Sequence, residues 1–95
     1  MSAERKTSIL LVEDEENLHE ALKLNLELED YDVTSAFDGA AALKAVEGEY
    51  FDLIILDVML PEMDGINVTE TIRLNNNDVP ILILSAKNSS ADRVL

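Results

Sequence analysis

The sequence predicts a single doubly wound α/β domain, with helices on both faces of a parallel sheet, and three observations predict it. Short apolar runs rich in branched residues recur at Ile9–Val12, Leu53–Leu56 and Ile81–Leu84, as expected of strands buried on both faces. Stretches with helical spacing of apolar residues separate them, giving a strand-helix rhythm repeated four times with connections of a few residues. Right-handed crossovers then make the sheet parallel. The third observation is where the runs stop: each ends in polar residues at what would be the carboxyl edge, where such sheets bind their ligands.

In chain order, residues 1–7 form a short polar tail and Ser8–Val12 the first strand, which ends in Glu13-Asp14-Glu15-Glu16. Leu18, Ala21, Leu22, Asn25, Leu26 and Leu28 then fall at helical spacing. His19, with Glu20, Lys23, Glu27 and Glu29, is placed on the opposite, polar side and reads as a surface histidine. The helix ends near Asp30. Val33–Ala36 is a short strand of weaker apolar content, suited to a sheet edge. Asp38 can cap a second helix carrying Ala41, Ala42, Leu43, Ala45 and Val46 on its buried side.

Leu53–Leu56 is the central strand, and it stops at Asp57. A charge placed directly after a buried strand costs free energy unless a cation or a chemical step compensates it. Pro61 and Gly65 break the pattern before a third helix over Ile66–Leu74, in which Ile66, Val68, Thr69 and Ile72 face inward. Pro80–Ser85 is the fourth strand, and Ser89 or Ser90 can cap a fourth helix near the end of the sequence.

Composition narrows the function. Twenty acidic against seven basic side chains give a formal charge of -13, which repels nucleic-acid phosphates and anionic membranes and favours divalent cations. The absence of cysteine leaves no disulfide or thiolate metal site and is compatible with a reducing cytosol. No apolar run approaches the roughly 20 residues of a membrane helix.

Glu13, Asp14 and Asp57 are therefore expected at neighbouring strand tips. Carboxylates gathered there raise one another's pKa unless a cation joins them, and hard oxygen ligands suit Mg²⁺ or Mn²⁺. A carboxylate beside Mg²⁺ can attack a phosphoryl group in line, and a hydroxyl such as that of Ser85 can hold a phosphoryl oxygen. Blander readings exist for each residue: Glu13–Glu16 suit solvated carboxylates opening a helix, and a serine at a strand end is most often structural.

Taken together, Ile9-Leu10-Leu11-Val12-Glu13-Asp14-Glu15, Asp57 in Asp57-Val58-Met59-Leu60-Pro61-Glu62-Met63-Asp64-Gly65, and Pro80-Ile81-Leu82-Ile83-Leu84-Ser85-Ala86 resemble the receiver domain of two-component response regulators. The resemblance implies a flavodoxin-like sheet, here with four strands in the order 2-1-3-4. It implies Asp57 as phosphoacceptor, and Glu13, Asp14, Asp57 and the carbonyl of Met59 as Mg²⁺ ligands. Ser85 takes the place of the switch hydroxyl, and Ala86 leaves room for the phosphoryl group. The implied donor is a phosphohistidine on a sensor kinase, and the implied location of this chain is cytoplasmic. The family's fifth strand, with its lysine and aromatic residue, and its fifth helix are expected to be missing, so that residues 1–95 form a truncated receiver whose switch output is impaired. An unprotected fourth strand and a bare sheet face would then favour self-association.

Two other enzyme-like readings fit less well. A Mg²⁺-dependent aspartyl-phosphate phosphatase wants a second acid where Met59 stands, and a nucleotide-binding domain wants glycines where Glu13–Glu16 stand. A self-associating scaffold, or a non-functional fragment of a longer regulator, remains the alternative to a phosphoacceptor module.

Overall fold

The computed structural model describes residues 5–57, 65–75, 78–84 and 93–94; of residues 57, 65, 66, 93 and 94 it describes the backbone. The elements are β1 (Ser8–Val12), α1 (Glu16–Leu28), β2 (Asp32–Ala36), α2 (Gly39–Gly48), β3 (Leu53–Asp57), α3 (Gly65–Leu74), β4 (Ile81–Leu84) and β5 (Arg93–Val94). Strands β2, β1, β3 and β4 stand side by side in that order and pair in parallel, which is the expected topology.

Strand β5 goes beyond that expectation. It pairs antiparallel with β4, Leu82 against Val94 and Ile83 against Arg93. The outer edge of β4 was expected to be open, and over Leu82 and Ile83 it is instead closed by the chain's own backbone, which satisfies N–H and C=O groups that an edge strand leaves unpaired. The fourth helix expected from Ser89 or Ser90 falls largely on residues outside those described, and Arg93 and Val94 are strand.

Parallel strands buried on both faces need apolar side chains on both, and alternation along each strand sorts them into two clusters. On one face Leu10, Val12, Ile54, Leu56, Ile81 and Ile83 meet Ala42 of α2 and Val68 and Ile72 of α3. On the other Ile9, Leu11 and Ile55 meet Leu22 and Leu26 of α1, with Leu53, Leu82 and Leu84 only partly buried. Helices therefore lie on both sides, with α1 alone, among the described residues, contributing helical side chains to the second face.

The helices begin and end as their residues allow. Glu15 caps α1, its Oε1 accepting from the Leu18 N–H at 2.5 Å, and Asp38 caps α2, its Oδ1 accepting from the Ala41 N–H at 2.8 Å, each satisfying a helix-start donor. At the end of α1, Asp30 takes φ 71° while its N–H donates to the Glu27 carbonyl at 2.9 Å and that of Tyr31 to the Leu26 carbonyl at 3.1 Å. This is the paired C-terminal closure in which a left-handed residue reverses the chain, and aspartate is among the few side chains that tolerate it.

At the amino edge of the sheet, Asp52 locks β1 against β3. Its backbone N–H donates to the Ser8 carbonyl at 2.7 Å, and its Oδ2 accepts from the Ser8 N–H at 2.8 Å. Arg5 reaches both carboxylate oxygens at 3.2 and 3.3 Å and lies 5.6 Å from the centre of the Tyr50 ring. The Ser8 amide first, and the Arg5 guanidinium second, hold the Asp52 carboxyl below its ordinary value of 3.8. A carboxyl group held low in the folded chain stabilises it above 3.8, and that contribution is lost as pH falls through the lowered value. Asp52→Asn should therefore lower the urea midpoint at neutral pH, and the gap to the parent chain should narrow at pH values below 3.8. A gap that stays constant over that range would refute the linkage.

Candidate functional site

The carboxyl edge of the sheet is set by register. Ile9, Leu10, Leu11 and Val12 of β1 align with Leu53, Ile54, Ile55 and Leu56 of β3, so the next residues in line are Glu13 and Asp57. Neighbouring strands lie about 4.8 Å apart, which sets the two acidic residues side by side at the mouth of the sheet. Asp57 in turn aligns with Leu84, the residue before Ser85. Among the sites expected from sequence, Met59, Ser85 and Ala86 lie outside the described residues, as does the side chain of Asp57.

Glu13 and Asp14 differ sharply in environment. Glu13 is 2% exposed, whereas Asp14 is open to solvent. The Glu13 N–H donates to the Ala36 carbonyl at 3.1 Å, extending the β1–β2 ladder by one step. Its Oε2 accepts from the Glu15 N–H at 3.0 Å, which fixes the side chain at the tip of β1. Glu15 is committed to capping α1, which separates its role from that of the two residues before it.

His19 departs from the sequence reading. It is fully buried, because the side of α1 turned to the sheet runs through His19, Leu22 and Leu26, at spacings of three and four residues. Leu18 and Leu28, counted in the apolar set, are 44% and 73% exposed instead. Side chains on a helix lean toward its amino end, and the His19 ring accordingly reaches back to the end of β1, its Nδ1 2.8 Å from the Glu13 carbonyl oxygen. Phe37, directly after β2, stacks on it with ring centres 4.2 Å apart and planes inclined by 21°. The aromatic at position 37 beside an α1 histidine was the available sequence signal, but it becomes legible only once the β1–β2 pairing is known.

Comparison with known proteins decides the family. The model of the response regulator receiver domain matches residues 9–95. The chain belongs to the response regulator receiver domain family. It is 51% identical over 87 residues to the alkaline phosphatase synthesis transcriptional regulatory protein PhoP of Bacillus subtilis, covering 92% of this chain and 36% of PhoP. It is 43% identical over 88 residues to the response regulator ArlR of Staphylococcus saprophyticus, covering 93% of this chain and 40% of ArlR. Its receiver fold resembles that of the Francisella response regulator 1452 receiver domain, with TM-score 0.84 and 33% identity over 90% of this chain and 70% of that one. It also resembles the response regulator TrrA of Thermotoga maritima in complex with Mg²⁺ and BeF, with TM-score 0.80 and 39% identity over 84% of this chain and 70% of that one.

The donor set of this receiver fits a hard divalent ion. Glu13 and Asp14 offer carboxylate oxygens at the tip of β1, one held in place by an amide and one open to solvent, next to the end of β3. Mg²⁺ is held in this manner by one or two carboxylates with water completing its shell. Among the described residues, no three acidic or histidine side chains gather closely enough to hold a metal by themselves, so the expected third carboxylate would have to come from Asp57.

Proposed function

We propose that this receiver accepts a phosphoryl group on Asp57, with Mg²⁺ held by Glu13, Asp14, Asp57 and the backbone carbonyl of Met59. The observation that carries the reading is the β1–β3 register, which sets Glu13 and Asp57 level at the carboxyl edge. The Mg²⁺ present with TrrA supports the choice of ion. When bound, such an ion neutralises negative charge on the incoming phosphoryl group.

The chain's own groups then act as follows. A carboxylate oxygen of Asp57 forms a bond to phosphorus as the phosphorus–nitrogen bond of a phosphohistidine breaks, and the imidazole leaves with the electron pair and takes up a proton. Asp57 is left as an acyl phosphate. Glu13, fixed by the Glu15 and Ala36 bonds, keeps its place while the charge beside it changes. Ser85 and the Ala86 amide would bind phosphoryl oxygens. The donor is a sensor histidine kinase, and the only chemistry ascribed to the chain itself is self-phosphorylation from small phosphodonors and slow dephosphorylation. A cytosolic setting suits a chain without cysteine; among the described residues no helix is long and apolar enough to cross a membrane. The transcriptional role in PhoP's name is that of a protein of which this chain spans 36%, and an acidic surface is ill suited to direct DNA contact.

A second reading is self-association with another copy of the chain. Its support is the sheet face on which Leu53, Leu82 and Leu84 are only partly buried beside Ile55. Pairing through the open edge of β4 has lost its basis at Leu82 and Ile83, which β5 occupies. Light scattering at micromolar concentration should give a dimer, and a monodisperse monomer would refute it.

Incubation with acetyl phosphate and Mg²⁺, followed by intact mass, tests the main reading. One added phosphoryl group is expected, absent in Asp57→Asn and formed about 10–100-fold more slowly in Glu13→Gln or Asp14→Asn. Steady release of free phosphate at high rate would indicate a phosphatase instead, and no reaction in a folded sample would indicate a scaffold.

A further inference from the structure

We propose that His19 is a positioning residue for the acidic pair, and that Phe37 holds it in that role. The Glu13 carbonyl belongs to the rigid, planar peptide unit that joins Glu13 to Asp14. Whatever fixes this oxygen fixes the plane of the peptide, and with it the direction in which Asp14 leaves β1. The His19 Nδ1 at 2.8 Å does so. A carbonyl can only accept, so Nδ1 carries the proton.

The contacts close into a loop. The Glu13 N–H is tied to the Ala36 carbonyl at 3.1 Å, Phe37 follows Ala36 in the chain, the Phe37 ring stacks on His19, and His19 returns to the Glu13 carbonyl. Both polar groups of the Glu13 backbone are thus held, one by β2 and one by α1, and the stacked ring keeps the imidazole from turning away. The arrangement has a cost: among the described residues, His19 Nε2 is buried with no hydrogen-bond partner. A leucine would fill this helix position without an orphaned polar atom, so a bond to Glu13 is what the histidine adds.

This role rests on the reading of Glu13 and Asp14 as cation ligands, and three measurements separate the two. In the metal-free parent chain, the ¹⁵N resonances of His19 should show a protonated Nδ1; a ring protonated at Nε2 alone would overturn the role. His19→Leu keeps an apolar side chain but cannot donate, whereas His19→Asn places an N–H near the position of Nδ1. Amide exchange at Glu13 and Glu15 should accelerate about tenfold in His19→Leu and markedly less in His19→Asn. Calorimetric titration with Mg²⁺ should show affinity lowered about tenfold in His19→Leu and largely restored in His19→Asn, even though the asparagine packs less well. Equal exchange and equal affinity in the parent chain and His19→Leu would overturn the role. If His19→Leu does not fold, Phe37→Leu, which leaves the donor but removes its stacking partner, should show the same two effects at smaller size, and an unchanged result there is equally decisive. A parent chain that binds no Mg²⁺ overturns the reading of the acidic pair, and tautomer and exchange then decide the clasp alone.

Discussion

The parallel pairing of β1 with β3 is the constraint on which everything else depends. Side chains alternate between faces along a strand, so a slip of one residue would exchange the two cores and carry Glu13 out of line with Asp57. The register is held at the amino edge and in the interior by different means. At the amino edge Asp52 and Ser8 exchange backbone and side-chain hydrogen bonds under the Arg5 guanidinium. In the interior, Leu10, Val12, Ile54 and Leu56 are fully or almost fully buried against α2 and α3, and each such side chain contributes about 1.5–3 kcal/mol relative to an exposed one. The acidic tips at the far edge are placed by these contacts and need supply no binding energy of their own to be brought together.

The two members of the acidic pair are built differently. Glu13 is sealed and bonded through backbone and side chain, while Asp14 is free to meet solvent. A cation site gains from this division, because a preorganised ligand loses little freedom on binding and an exposed one leaves a route for a hydrated ion. At the same carboxyl edge β4 brings Leu84 into line with Asp57.

Much of this was legible in the sequence because the signals were local. Branched apolar runs marked three of the four parallel strands, Asp38 announced the α2 cap, and the carboxylates after β1 and β3 stood out against the buried residues before them. His19 was misread because residues along α1 were sorted by polarity: the imidazole was grouped with Glu20 and Lys23, while the turn of the helix places it in line with Leu22 and Leu26. The pairing of Arg93 and Val94 with β4 was missed for another reason. Two residues carry no usable periodicity, and an antiparallel return is decided by the unpaired backbone of the neighbouring strand, which no local pattern reports.

The proposed function requires side chains from the tips of β1 and β3 to converge on one divalent ion. Paramagnetic broadening by Mn²⁺, followed residue by residue in ¹H–¹⁵N spectra, reads out that convergence. Substoichiometric Mn²⁺ should erase the amide signals of Glu13, Asp14 and Asp57 first, and excess Mg²⁺ should restore them. Broadening that begins on the acidic outer face of α1, around Glu20 and Glu27, or that leaves Asp57 untouched while Glu13 fades, would contradict the account.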